Sequence, residues 1–279
     1  MVEIEKVSII IRTCDRPLLL KRALKSVFFQ TYDNFEVIVI NNGGEENVVM
    51  RVVNEFNTIQ REKVKVRTLD YIASRGQALN IGIYSSQGEF IAILDDDDSW
   101  NPQFLEICLK YLVHNTSIDG VATRSIVITE KLEGNDIVLL NKKIFNPQLK
   151  NASLVKIFRC NLFTINSFVY KREVVKGIGT YRSDLLALED WEFHLRFMLK
   201  NKVEIIPIPL ALYHKRINLN SSSTYVNSSV DEHLKADKQI RREYVMKFMK
   251  DRDVLGAILI YVFGMLNNIS RVIKGVKMK

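Results

Sequence analysis

Residues 95–98 are four consecutive aspartates, Asp95-Asp96-Asp97-Asp98, directly after the apolar run Phe90–Leu94. Adjacent carboxylates repel, so such a run persists only where it is solvated, set at a helix N-terminus or neutralised by a cation. Two readings follow. The carboxylates are hard oxygen ligands for Mg²⁺ or Mn²⁺, which keep coordination positions open for substrate phosphates, or they are an acidic cap for the next helix. A second acidic pair, Glu189-Asp190, precedes Trp191, Phe193, Leu195 and Phe197. It reads as the cap of that helix or as a proton acceptor. Tyr213-His214-Lys215-Arg216 is cationic and could meet an anionic leaving group, with His214 a metal-ligand candidate that lacks a spaced partner. His114, His194 and His233 show no ligand spacing and read as surface or packing residues. Ser221-Ser222-Ser223 lacks the Gly-x-Ser-x-Gly turn of a nucleophile.

These groups need elements to hold them. Lys6–Ile11, Phe35–Asn41, Val64–Leu69 and Phe90–Leu94 are strand-length runs rich in Val, Ile or Phe, separated by helix-like segments. That alternation predicts a parallel α/β sheet, which places the aspartates at the carboxyl end of a strand, where open α/β sheets bind ligands. Pro17–Gln30 predicts a helix with Leu20, Ala23, Leu24, Val27 and Phe28 on one face, with Asp15 as its cap. Beyond Asp98 the pattern becomes mixed. A helix from Asn101-Pro102 to Asn115 is followed by strands Val121–Thr129 and Ile137–Leu140, joined by the turn Glu133-Gly134-Asn135-Asp136. A short helix Leu154–Phe158, a strand Ser167–Lys171, a helix Trp191–Lys200 and strands Val203–Ile206 and Ala211–Tyr213 complete the body. Arg216–Ser229 reads as a polar loop and Val230–Lys279 as two helices.

Composition excludes several classes. With 279 residues, 47% hydrophobic and 26% charged, the chain is neither disordered nor collagenous, and 12 Gly with 5 Pro argue against a turn-rich sandwich or barrel. Cys14, Cys108 and Cys160 form no Cys-x-x-Cys pair, so no disulfide framework or cysteine zinc site is expected, and a reducing cytosol fits. The apolar run Val7–Ile11 is too short for a signal-peptide core. The net charge is +8, and residues 230–279 hold eleven basic residues against six acidic. Val254–Leu266 is thirteen residues without charge, short of the roughly 20 that cross a bilayer. Its apolar residues recur at helical spacing among Arg252, Arg271, Lys274 and Lys277. That pattern suits a helix in a membrane interface, or one packed on the body or on a second copy. Nucleic-acid binding is not expected, because no aromatic-basic interleaving or helix-turn-helix signal occurs.

Taken together, VSIIIRTCDRPLLLKRALKSVFFQTYDNFEVIVINNGG, then Gly76, Asn80 and Gly82, then GEFIAILDDDDSWNPQFLE, and later Glu189-Asp190-Trp191-Glu192-Phe193, resemble the family 2 glycosyltransferases. The resemblance implies a GT-A fold: a Rossmann-like nucleotide-binding half (1–115) and an acceptor-binding half (116–228) around a mixed central sheet, with a C-terminal helical extension (229–279). It implies that Thr13 and Asp15 hold the nucleoside and that Asn42 stands where an aspartate accepts from the uracil imide. Asp95 and Asp97 would form the Asp-x-Asp motif, with Asp97 the direct metal ligand, Asp95 nearer the ribose and Asp96 beside the nucleotide. Asp190 would be the catalytic base, and Arg75 and Asn80 would lie in the nucleotide-contacting segment. Four positions depart from the family pattern: Arg12 for proline, Cys14 for an aromatic, and Asn41-Asn42 for an acidic pair.

The expected activity is inverting, metal-dependent transfer from a nucleotide diphospho-sugar, UDP-linked, to a glycan or lipid-linked glycan in surface polysaccharide synthesis. The cofactor expected is Mn²⁺ or Mg²⁺. The expected place is the cytoplasm, peripheral at the inner membrane face through residues 252–279, with a homodimer as the other use of that tail. Two other classes remain open: a sugar nucleotidyltransferase, disfavoured because Arg12-Thr13-Cys14-Asp15-Arg16 contains no glycine, and a non-catalytic nucleotide- or glycan-binding subunit of the same fold.

Overall fold

The computed structural model describes residues 5–133, 136–216 and 230–276, and within these the side chains of 132, 230 and 267–276 are not described. The expected turn at Gly134-Asn135, the loop 217–229 with Ser221–Ser223, the division at 228/229 and the side chains of Ile269, Arg271, Ile273, Lys274 and Lys277 lie outside what is described.

In chain order the elements are β1 (Val7–Thr13), α1 (Pro17–Phe28), β2 (Phe35–Asn42), α2 (Glu46–Asn54), α3 (Thr58–Glu62), β3 (Val64–Leu69), α4 (Arg75–Ser85) and β4 (Phe90–Ile93). Then come β5 (Ser99–Trp100), α5 (Phe104–His114), β6 (Gly120–Glu133), β7 (Asp136–Ile144), α6 (Leu154–Arg159), β8 (Phe168–Lys171) and α7 (Val174–Ile178). The last are α8 (Glu189–Met198), β9 (Val203–Arg216), α9 (Val230–Lys250) and α10 (Val254–Val276). The strands form one mixed sheet in the order β3-β2-β1-β4-β8-β6-β9-β5, with β7 paired to β6. The first four are parallel; β8 enters antiparallel to both β4 and β6.

The near-continuous apolar strands are explained by a sheet covered on both faces. Successive residues point to opposite sides. Ile9, Ile11, Val37, Val39 and Leu94 pack under α1, α2 and α5, whereas Ile10, Ile38, Ile40, Ile91 and Ile93 pack under α4, α6 and α8. The carboxyl ends of β1 and β4 lie side by side, with the Leu94 amide donating to the Ile10 carbonyl at 3.0 Å. Thr13 and Asp95 therefore leave the sheet together.

Several boundaries differ from expectation, each for a local reason. Asp15 does not cap α1: it adopts φ 49° and accepts from the Glu45 amide at 3.3 Å, while Arg16 occupies the cap position without a side-chain bond. β9 is one strand instead of two. Its pairing with β6 shifts register beside Pro209, so the residue without an amide proton sits where the ladder is already irregular. The two-residue β5 was not expected at all; it exists through pairing with β9.

α9 and α10 join the body's own core. Ile240, Tyr244, Phe248, Ala257 and Ile260 belong to the cluster that contains Ile157, Phe158 and Trp191. The buried Arg241 guanidinium donates to the carbonyls of Phe158 (2.7 Å), Arg159 (3.0 Å) and Ile260 (3.1 Å), pairs with Asp237 and lies 4.8 Å over the Trp191 ring. Among the described residues no helix is long and apolar enough to cross a membrane.

Candidate active site

The aspartate run leaves β4 as a tight turn in which the Asp98 amide donates to the Asp95 carbonyl at 2.9 Å. α5 starts only at Phe104, so the run caps no helix. The turn sends the four carboxylates in different directions. Asp95, Asp97 and Asp98 offer oxygens that all lie within 4.8 Å of one another. Asp96 turns inward instead, fully buried, accepting from Thr13 Oγ1 at 2.6 Å and Arg16 Nε at 3.0 Å. Burial and the neighbouring acids push its carboxyl up to about 7 despite the opposing Arg16 charge.

Asp95 is gripped by Arg12 through two bonds, Nε to Oδ1 at 2.6 Å and Nη2 to Oδ2 at 3.0 Å, and Arg12 Nη1 reaches Glu189 at 3.1 Å. Burial alone would raise the Asp95 carboxyl, but the Arg12 charge overrides it and holds the group below the usual range. Asp97 pairs with Arg216 Nη2 at 2.5 Å. Asp98 accepts from the His214 amide at 2.9 Å through one oxygen, and its other oxygen is buried with no hydrogen-bond partner among the described residues. Burial, with Asp97 and Asp95 nearby, pushes its carboxyl well up.

A cavity of about 270 Å³ opens over these groups, walled by Arg12, Arg16, Arg75, Asp95, Asp97, Asn161, Thr164, Glu189, Asp190, Tyr213 and His233 among others. Asp190 enters from the first turn of α8, which begins at Glu189 after Leu188 in the left-handed region (φ 62°). Its Oδ1 accepts from the Trp191 amide at 2.7 Å and its Oδ2 from Asn161 Nδ2 at 2.7 Å. Asn161 Oδ1 is in turn 3.0 Å from His194 Nδ1. Burial holds that imidazole neutral, down at about 3, so Nδ1 carries the proton toward Asn161. Burial first, then the Glu189 charge, raises the Asp190 carboxyl to about 6.

The structure therefore brings Arg75, Asp95, Asp97 and Asp190 into one cavity, although they are distant in sequence. It places the other expected residues elsewhere. Thr13 and Asp96 bond each other behind the wall. The Asn42 carboxamide both donates to and accepts from the Ala73 backbone (3.0 and 2.8 Å), closing the loop before α4. Asn80 does the same for Tyr181 (2.7 and 2.8 Å). His214 is corrected as a metal ligand: its Nδ1 lies 2.7 Å from Glu130 and its Nε2 2.9 Å from Ser99 Oγ, so neither nitrogen is free. The third carboxylate of the acidic group is Asp98. Arg12, Arg16 and Asn161 were missed as cavity groups, His233, read as a surface or packing residue, lines the cavity as well, and so does Glu189, read with Asp190 as a cap or a proton acceptor. Arg12 and Arg16 stood beside Thr13 and Asp15, already singled out, whereas Asn161 had no signal in its surroundings.

The three carboxylates fit a divalent cation. They supply hard oxygen donors, and Asp98 presents a buried oxygen that no other described residue satisfies. Residues 8–179 match the family model described as Glycosyl transferase family 2. The chain belongs to the family 2 glycosyltransferases.

This glycosyltransferase is similar to an uncharacterized glycosyltransferase of Haemophilus influenzae, 22% identical over 97% of this chain and 84% of that protein. It is 28% identical to WfgD of Escherichia coli, named as a UDP-Glc:alpha-D-GlcNAc-diphosphoundecaprenol beta-1,3-glucosyltransferase, over 53% of this chain and 56% of that one. Among solved structures it resembles S. aureus TarS 1-349 in complex with UDP-GlcNAc (TM-score 0.64, 18% identity, 86% of this chain and 66% of that chain). It also resembles the mannosyltransferase PcManGT from Pyrobaculum calidifontis in complex with GDP-Man and Mn²⁺ (TM-score 0.63, 12% identity, 99% and 81%). The fold of this glycosyltransferase is GT-A, with two C-terminal helices added.

Proposed function

We propose that the protein transfers a sugar, with inversion, from a nucleotide diphospho-sugar to a hydroxyl of a glycan carried on a lipid, in surface polysaccharide synthesis at the inner face of the cell membrane. The observation that carries this reading is one cavity lined by a half-buried, raised carboxyl, Asp190, and by Asp95 and Asp97, whose oxygens lie with those of Asp98 within 4.8 Å of one another. Asp190 is the base that takes the acceptor proton while the hydroxyl attacks the anomeric carbon. Asp95, Asp97 and Asp98 would hold Mn²⁺ or Mg²⁺, which when bound supplies charge stabilisation to a departing diphosphate. Arg16 and Arg75 on the same wall bind and orient the anionic part of the donor. Arg12 ties Asp95 to Glu189 and so fixes the acidic turn against the α8 residue that precedes the base. UDP as the nucleotide and a lipid-linked acceptor are supported by the activity for which WfgD is named and by the UDP-GlcNAc bound in the TarS structure.

The test is thermal melting of the protein with UDP-glucose, UDP-GlcNAc and GDP-mannose, each with and without Mn²⁺, because a ligand bound only by the folded state raises its melting temperature. A Mn²⁺-dependent rise with a UDP-sugar, followed by transfer that Asp190→Asn abolishes, is the expected result. No rise with any nucleotide sugar, or transfer unaffected in Asp190→Asn, overturns it.

A further inference from the structure

From Val254 to Leu266, α10 is apolar around its whole circumference, and only one side of it is packed among the described residues. Ala257 and Ile260 are buried against the body with Leu259 and Phe263 beside them. The opposite side carries Leu255, Ile258, Tyr261, Val262, Met265 and Leu266, each at least 41% exposed. At 100° per residue these six fall within an arc of about 140°. Helices that are apolar on every side are ordinarily covered on every side.

α9 extends the same surface. Between the two helices runs a groove of about 350 Å³ lined by Lys238, Arg242, Val245 and Met246 from α9 and by Tyr261 and Met265 from α10. Along the outward face of α9, Lys235, Lys238 and Arg242 come first, then Met246 and Met249, all exposed. Exposed charges on α9 and its junction with α10 are basic at Lys235, Lys238, Arg242, Lys247, Lys250 and Arg252, against acidic Asp231, Asp251 and Asp253. An apolar plane beside a basic row is the composition that binds anionic lipid, where buried apolar area and headgroup attraction act together. A second copy fits less well, because an isologous contact lays the patch on itself and adds the repulsion of two basic rows.

We propose that the outward face of α9 and α10 docks on an anionic lipid bilayer, with α10 in the plane of the interface and Lys238 and Arg242 against headgroup phosphates. His233 lines the catalytic cavity and Lys238 lines the groove five residues later on the same helix, about 8 Å along its axis. Docking therefore sets the cavity close to the lipid surface, where an acceptor on a lipid carrier presents its sugar. That purpose rests on the lipid-linked acceptor proposed above; the docking itself does not.

The test is co-sedimentation of the full chain with vesicles of phosphatidylcholine, with and without phosphatidylglycerol, at low and high salt. The wild type is expected to pellet with the phosphatidylglycerol vesicles at low salt. Ile258→Glu with Val262→Glu should weaken that partition at least about tenfold, and Lys238→Glu with Arg242→Glu should remove its dependence on phosphatidylglycerol. All four positions point outward, so melting and the UDP-sugar shift should be retained, which separates lost docking from lost folding. A wild type that stays in the supernatant overturns the proposal, as does an Ile258→Glu, Val262→Glu double variant that pellets unchanged. So does light scattering that shows the face closed by a second copy with no vesicle binding. Vesicle binding without any nucleotide-sugar shift would sink the transferase reading and leave the docking standing.

Discussion

Asp190 shows how one side chain can be tuned by its neighbours. Half-buried beside Glu189, its carboxyl rises to about 6, well above the ~3.9 of a free aspartate. A base acts in its ionised form, so turnover should climb with pH through about 6 and be lost below it; a kcat profile with its acidic limb near 4 would refute the assignment. Asp190→Asn keeps the shape and removes the base, and kcat should fall by roughly 10²- to 10⁴-fold with the nucleotide-sugar melting shift intact. Asn161 holds one Asp190 oxygen and is itself held by neutral His194. Asn161→Ala should lower kcat by roughly 10- to 100-fold without changing donor KM, since it frees the base to rotate and touches no donor-binding group. The acidic group makes a separate prediction. Mn²⁺ should raise the melting temperature in proportion to the logarithm of its concentration, and Asp97→Asn should remove most of that rise.

At the scale of elements, the catalytic turn is anchored from below by Glu130 on β6. This buried carboxylate accepts two 2.9 Å bonds from Arg22 of α1, lies 2.7 Å from His214 of β9 and 3.8 Å from Arg216. Arg22 also donates to the Asp97 carbonyl, and Arg216 to its carboxylate. Glu130 sits beside the register shift at Thr129/Glu130, where β6 changes its pairing with β7. Three elements and the acidic turn thus meet on one side chain. Glu130→Ala leaves the part-buried Arg22 without its carboxylate and buried His214 without its Nδ1 partner, and should destabilise the fold by about 3–5 kcal/mol, read by urea denaturation. None of this was legible from residue types: Glu130 and Arg22 are ordinary in their own segments, and His214, singled out as a metal-ligand candidate, meets its actual partners only when β6 and β9 pair.

Across the whole molecule, the C-terminal helices and the sheet share one core. Trp191 packs under Arg241, its indole donating to the Ile157 carbonyl at 2.8 Å, and Tyr244 donates to Glu192 at 2.9 Å. A chain stopped before Val230 should lose roughly 10 °C or more of melting temperature, because Ile157, Phe158 and Trp191 would lose their cover. A body that melts unchanged without these helices would show them to be an independent appendage.

The amino-acid sequence by itself determined the β1–β4 rhythm, the acidic run at a strand end and the acidic pair at the start of α8, since strand patterning and family motifs are local properties of the chain. It also determined that the tail is helical. Only the tertiary structure decided which aspartates converge, because a single turn sends Asp96 toward Thr13 and Arg16 while Asp95, Asp97 and Asp98 face one another. It alone joined Arg12 to Glu189, 177 positions away, and filled both nitrogens of His214. A side chain's direction and partners depend on which strands lie next to it, and pairing across the sheet is a property of the folded chain.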